Sequence, residues 1–409
     1  MVEPLLKEPT ISHEVRRLKI KSLIRLARPT DALAEYDQLF NHLKQDDRPL
    51  LRELAVSFIT PMLKDMREQM RGAAYTALKE LGTDDGIPYF EDGLSDGSGL
   101  IRALAVEGLG RLAAGRRSAT LNKALEDQAA MVRAAAVKVL GRSGDPSAVG
   151  KMQRALNDEQ GVVRITAAGM LAKLNQGDGW DHVLRSTTVS NPEERATALR
   201  MLGETKDRRG LSILKEALTD AQPSVRGTAA AAMGELQLKE GIPFLMEATR
   251  DRLPAVRAAA IVSLGELGAG DSVSAIRTAL QDANLPVRAA AIASLLQLGI
   301  PYGQVSEIVQ GLAHDVDPGA RSSVARALSK TKDADGIAML ETFLDDPLPR
   351  PRIAAIRSLG QAGGVSEVPL LKRALRDQDE AVRATAGGAL GRILANHTRA
   401  HSHKEKLAR

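Results

Sequence analysis

The sequence predicts an all-α solenoid of stacked helical hairpins, about eleven units at a 31-residue period behind an irregular N-terminal cap. Three observations carry the prediction. An arginine recurs every 31 residues at Arg71, Arg102, Arg133, Arg164, Arg195, Arg226, Arg257 and Arg288, then after a two-residue insertion at Arg321, Arg352 and Arg383. Six residues before it stands an aspartate, at Asp65, Asp96, Asp127, Asp158, Asp220, Asp251, Asp282, Asp315, Asp346 and Asp377, with Val189 alone breaking the column. Three residues after it stands alanine, replaced once by Val324, and seven residues after it stands leucine, or Met233 in one unit.

Each unit reads as two helices. Val256, Ala260 and Leu264 are spaced four and four, so they line one stripe of a helix. Proline precedes the arginine by three at Pro192, Pro223, Pro254, Pro318 and Pro349, which suits the first helical position, where no N–H is needed and φ is already set. Glycine after the leucine column, as at Gly110, Gly141, Gly203, Gly234, Gly265, Gly360 and Gly391, marks where that helix could end or bend. A second apolar-periodic stretch follows, such as residues 335–344 or 366–375. One such hairpin cannot bury its own apolar face, but stacking on its neighbours can. At 8–10 Å per layer, eleven units predict a rod or arc of roughly 100 Å.

The array covers residues 65–396, with a helical cap at 1–64 and a polar, basic tail at 397–409. The cap holds a basic amphipathic helix over 14–31, with Arg16, Arg17, Lys19, Lys21, Arg25 and Arg28, and two further helices over 31–43 and 49–63. That basic cluster reads as a solvated face, with an acidic partner or lipid head groups as the alternative. In the tail, His397, His401 and His403 lack the acidic or cysteine companions that a metal site wants, and no metal or other cofactor is expected.

Composition narrows the function classes. Aromatics make up only 2% of the chain, so the core is built from Ala, Leu, Val and Ile, and few large side chains are left for stacking bases or cofactors. Cysteine is absent, which removes thiol nucleophiles and disulfides. The first residues carry Glu3 and Glu8 where a signal peptide needs an apolar run, and no stretch reaches the ~20 apolar residues of a membrane span. A cytoplasmic protein is the expectation.

The columns Asp-x5-(Val/Ile)-Arg-x2-Ala-x3-Leu-Gly resemble the HEAT-like repeats of the phycobilin-lyase type. The resemblance covers about four-fifths of the chain and implies the solenoid fold. It further implies that the arginine and aspartate columns form a structural ladder between neighbouring units, a brace that fixes stacking register more than it adds net stability. Three active branches of that superfamily ask for residues that this chain does not supply in the required pattern. The iron-binding hydroxylases use repeated His-Glu pairs, whereas this chain has one, His13-Glu14, outside the array. The DNA glycosylases use aromatics and an aspartate, and here the single tryptophan, Trp180, sits in a run with Asp181, His182 and Arg185 that points in different directions around a helix. No residues mark a tetrapyrrole site.

The net charge of +5 does not by itself point to nucleic acid. Setting the ladder aside, the excess lies largely in the two ends. The second helices, expected on the concave face, carry pairs of mixed sign such as Glu91/Asp92, Lys215/Glu216 and Lys372/Arg373. A duplex groove wants uniform positive charge and a single-strand channel wants aromatics. The reading is a non-enzymatic scaffold or adaptor, monomeric outside its complex, that binds a protein partner along its concave face. A substrate-recognition subunit of a bilin lyase or other modifying enzyme comes next, and weak nucleic-acid binding third. Candidate partner contacts are Trp180, His182, Arg185 and Tyr302, which sit where the repeat pattern fails.

Overall fold

A computed structural model of the chain describes the backbone of residues 9–407 and the side chains of residues 13–397; among these residues every regular element is helical. Eleven helices carry the arginine column: Glu68–Leu81, Gly99–Arg111, Ala130–Ser143, Gly161–Lys173, Pro192–Thr205, Pro223–Leu236, Pro254–Glu266, Leu285–Gln297, Pro318–Ala327, Pro349–Ala362 and Glu380–Leu407. The five prolines do open their helices. Ten shorter helices alternate with these, from Ile87–Gly93 in unit 1 to Val368–Ala374 in unit 10.

The arginine-bearing helices pack directly on one another in chain order, while consecutive second helices scarcely touch. In a curved double layer, the more closely spaced layer lies inside. The arginine helices therefore form the inner wall and the second helices the outer wall, the reverse of the sequence expectation. The cause is the run of small residues. The glycines after the leucine column do not end their helices; they let backbones meet. A Cβ at Gly203 would stand 2.7 Å from the Ala232 carbonyl oxygen, and one at Gly360 would stand 2.8 Å from the Ala389 Cβ. Ser263 and Ser294 exploit the same proximity, donating from Oγ to the Ala230 and Ile261 carbonyls of the preceding inner helix, both at 2.9 Å. Some inner helices end a few residues further on, at left-handed residues such as Gly82 (φ 64°) and Gly144 (φ 69°).

The curvature is complete. The Glu380–Leu407 helix packs on the inner helix of unit 10 on one side and on that of unit 1 on the other. The expected rod or arc is instead a closed ring, and the ~100 Å of stack becomes its circumference. Eleven helices spaced 8–10 Å apart enclose an axis circle of about 30 Å, which leaves an opening on the order of 20 Å once a helix diameter is subtracted.

The N-terminal segment explains how the ring shuts. It forms α1 (Pro9–Arg25), α2 (Pro29–Leu43) and α3 (Arg48–Ser57), followed by a 3₁₀ turn at Thr60–Lys64. Among the described residues no second helix follows the inner helix of unit 11. In its place α3 lies against the Glu380–Leu407 helix, so closely that a Cβ at Gly387 would overlap the Ala55 carbonyl. The unit at the seam is thus composite, built from both ends of the chain. Side chains bolt it. Lys372 reaches Asp46 at 2.9 Å with its ammonium 4.0 Å above the Phe40 ring. Arg376 pairs with Asp37, and Arg67 with Glu380 at 3.3 Å.

Two expectations about the ends change accordingly. The basic cluster of α1 is mostly paired internally: Arg16 and Lys19 with Glu35, Arg17 with Asp47, Lys21 with Glu53 and Arg28 with Asp31. The residues expected as a tail continue the last helix through Leu407. His397 faces Arg48, whose Nη1 lies 2.6 Å from Nδ1, while the side chains of His401 and His403 lie outside the described residues. Among the described residues no helix is long and apolar enough to cross a membrane.

Candidate functional site: the inner wall of the ring

At the start of each inner helix the arginine reaches two loops. Arg257 donates from Nη1 to the Asp251 carbonyl of its own unit at 2.8 Å, and from Nε and Nη2 to both carboxylate oxygens of Asp282 in the next unit, at 2.7 and 2.9 Å. Eight arginines make this forked pair: Arg71–Asp96, Arg102–Asp127, Arg133–Asp158, Arg195–Asp220, Arg226–Asp251, Arg257–Asp282, Arg321–Asp346 and Arg352–Asp377. A fork-to-fork match is the strongest geometry an arginine and a carboxylate can adopt. Hydrogen bonds from Arg257 hold the Asp282 carboxyl down at about 2, with burial opposing them and Asn284 assisting.

Three of the eleven arginines have no such carboxylate. Arg164 and Arg288 keep only the carbonyls of their own loops, at 2.8–3.0 Å, and Arg383 does the same at 2.7 and 3.1 Å. The reasons differ. Val189 stands where the partner of Arg164 would be, and the insertion after unit 8 carries Asp315 out of step with Arg288. At the seam, Asp65 is taken by Arg67 at 2.8 Å, so Arg383 finds no partner there.

The residues expected to touch a partner separate. Trp180 is half-buried against the core, and the Arg209 guanidinium stacks 4.1 Å from its ring, itself held by Asp207 at 2.6 Å. His182 is also partly buried, its pKa pushed down by burial and by Arg185 and Arg164. Arg185 is exposed on the outer layer. Tyr302 is only 7% exposed and its backbone N–H donates to Asp333 at 2.5 Å, so it fills the insertion instead of presenting a surface. The outer wall carries open grooves between successive second helices, for example about 470 Å³ between Lys215, Phe244, Glu247 and Arg250.

The solvent-facing stripe of the inner helices is different. Five residues after the arginine stand Thr76, Glu107, Lys138, Gly169, Arg200, Ala231, Val262, Ala293, Arg326, Arg357 and Gly388; nine after it stand Glu80, Arg111, Arg142, Lys173, Glu204, Glu235, Glu266, Gln297, Lys330, Gln361 and Arg392. Val262 is 41% exposed and Ala231, Glu235, Glu266 and Arg326 are exposed, whereas Gly169 and Gly388 are buried against the next inner helix and Glu204 is buried among its partners; the positions flanking the columns are mostly buried in neighbouring helices or in the outer wall. These two columns do not repeat, and neither do the surface columns of the second helices. Variation alone therefore does not disclose them in the sequence; the packing of the inner helices does.

Their charges interact across units. Glu204 is 4% exposed and accepts from Arg142 at 2.8 Å and Lys173 at 2.7 Å, two units and one unit away. Burial works against its charge, yet these hydrogen bonds and Lys138 hold its carboxyl far below the ordinary range. Across the seam, burial raises Glu80, opposed by Arg357, Arg392, Arg111 and Lys79 from units 10, 11, 2 and 1. Among the described residues no group of three histidines or carboxylates is placed to hold a metal ion.

With the fold and this wall described, comparison with known proteins is informative about family. The description "HEAT repeats" matches residues 118–188, 181–254, 242–307 and 305–391, more than half of the chain. The chain belongs to the HEAT-repeat family. Solved structures similar to this HEAT-repeat chain include the CpcE–CpcF complex of phycocyanin lyase from Nostoc sp. PCC7120, at 19% identity over 66% of this chain and 93% of that one, with a TM-score of 0.37. The Escherichia coli protein YibA shows 20% identity over 61% of this chain and 95% of that one, with a TM-score of 0.38. Human deoxyhypusine hydroxylase shows 18% identity over 60% of this chain and 96% of that one, with a TM-score of 0.28. No curated protein matches the chain.

Proposed function

We propose that this HEAT-repeat ring is a protein-interaction scaffold that admits a segment of a partner protein into its central opening. One observation carries the reading: the closed ring surrounds an opening, and the charged side chains on its inner wall pair across units, as Glu204 does with Arg142 and Lys173 and Glu80 with Arg357. Individually chosen charges on a rigid frame are the means by which a protein discriminates among partners.

The test is affinity capture from the source cells with the wild-type chain and with Ala231→Trp/Val262→Trp, which narrows the opening from exposed positions. Partners bound in the opening are lost from the variant while its helical melting curve is unchanged. Equal capture by both proteins refutes the reading.

A further inference from the structure

The inner wall is charged unevenly. Over units 3 to 5 three of the four inward cations, Lys138, Arg142 and Lys173, converge on Glu204, and Arg200 makes no ion pair among the described residues. From unit 9 across the seam to unit 2 only one inward cation in six, Arg357, has an ion pair among those residues. Arg326 donates only to the Ser323 hydroxyl, at 2.9 Å. Lys330, Arg392, Arg111 and Arg350, which stands two turns before Arg357 on the same face of its helix, make no ion pair among the described residues. The two carboxylates in the inward columns here are already engaged, Glu80 by Arg357 at 2.8 Å and Glu107 by Lys79 at 2.7 Å. The cations feel one another: burial, then Arg350 and Arg357, push the Arg326 guanidinium pKa down. Helices stacked into a closed ring cannot splay to relieve this repulsion, so the arc presents a standing positive field to the opening.

The opposite arc has the other character. Units 6 to 8 present Ala231, Val262 and Ala293 at mid-height, with Glu235 and Glu266 above them. A negatively charged occupant is drawn to one side of the opening and repelled from the other, which fixes its position as well as its affinity.

We infer that the arc of Arg326, Lys330, Arg350, Arg357, Arg392 and Arg111 docks an acidic polypeptide segment threaded into the ring. The inference rests on the opening being the partner site. An opening on the order of 20 Å admits one α-helix of 10–12 Å diameter with its side chains. Single-stranded nucleic acid fits less well, because neither inward column carries an aromatic on which bases could stack. A second copy of the chain, at net charge +5, lacks the complementary charge.

The experiment is fluorescence anisotropy on the full chain at about 0.15 M salt. The probes are a labelled glutamate–alanine peptide about four turns long, its lysine–alanine counterpart, and an oligothymidine strand. The variants are Arg326→Glu/Arg350→Glu in the arc, Ala231→Trp/Val262→Trp in the opening, and Arg185→Glu/Arg250→Glu on the outer wall, the last matching the first in charge. Circular dichroism melts confirm that each folds. The acidic peptide is expected to bind the wild type, to lose about tenfold or more in the arc variant, and to change less than about twofold in the outer-wall variant.

Equal losses in the two charge variants, preference for the lysine peptide, or tighter binding of the oligothymidine overturns the inference. If the acidic peptide does not bind while the narrowed opening still abolishes partner capture, the site stands and its assigned chemistry falls. If the narrowed ring binds the peptide as well as the wild type does, the opening is not the site and both readings fall.

Discussion

Gly388 of the last unit lies on the Ala77 carbonyl of the first: a Cβ there would stand 2.5 Å from the oxygen. Between them these two residues join positions more than three hundred apart in sequence, with the same kind of close contact that Gly203, Gly234, Gly265 and Gly360 make with the next inner helix. The seam is one more inter-unit interface.

Substituting Gly388→Leu is therefore expected to force the seam apart. Overpacking of a close contact costs about 1–3 kcal/mol, and here the strain can be relieved by opening the ring. Small-angle scattering should show a larger radius of gyration than the wild type, with helix content retained. An unchanged scattering profile would falsify the closed-ring assignment.

The ladder and its gap make a matched pair. Arg257→Ala leaves Asp282 buried without its partner, which is expected to cost about 3 kcal/mol, at the low end for buried pairs because both side chains keep some exposure. Arg164→Ala strands no carboxylate and should cost less than about 1 kcal/mol. Val189→Asp supplies the missing acceptor to Arg164 and should raise the melting temperature. Denaturation curves of the three variants check all of this, and similar losses for Arg257→Ala and Arg164→Ala would contradict the role given to the aspartates.

Acid should unpick the ladder. The Asp282 carboxyl titrates at about 2 in the folded protein, against about 3.9 for an unfolded aspartate. A depressed folded value stabilises the protein above the unfolded pKa, and that contribution is lost as pH falls from about 4 towards 2. Asp127, Asp158 and Asp251 shift in the same direction through the hydrogen bonds of Arg102, Arg133 and Arg226. Melting temperature followed from pH 5 to pH 2 should drop steeply in the wild type and less steeply in Arg257→Ala.

Trp180 is expected to act through packing. Removing a half-buried ring and its stacked Arg209 should cost about 2 kcal/mol in Trp180→Ala. Partner capture by the folded variant should stay at the wild-type level. Loss of capture with unchanged stability would return Trp180 to the binding surface.

The all-helical, repeating character was legible because the physics acts within each unit: arginine, aspartate, leucine and proline columns report local caps, stripes and loops. Closure was not legible. Whether a stack of hairpins curves into an arc or a ring depends on a small angle accumulated over eleven interfaces, and no single repeat states it. The glycines at 203, 234 and 265 show the limit well. Their spacing is plain in the sequence, yet whether a glycine ends a helix or admits a neighbouring backbone depends on what packs there. The same holds for α3, whose residues match no repeat because they complete a unit begun at the other end of the chain. For the inner wall, Arg326 and Arg350 are ordinary surface arginines until the ring brings units 9 and 10 round towards the unit 1 carboxylate of Glu80.

Closure also settles copy number. Solenoids ordinarily gain and lose units with little penalty, since each repeat answers only to its neighbours. Here every unit must turn the chain by one eleventh of a full circle so that α3 arrives beside the last helix. Duplicating or deleting one 31-residue unit, an easy recombination between stretches as alike as residues 254–268 and 285–299, would leave each surviving interface intact and the polygon unable to shut.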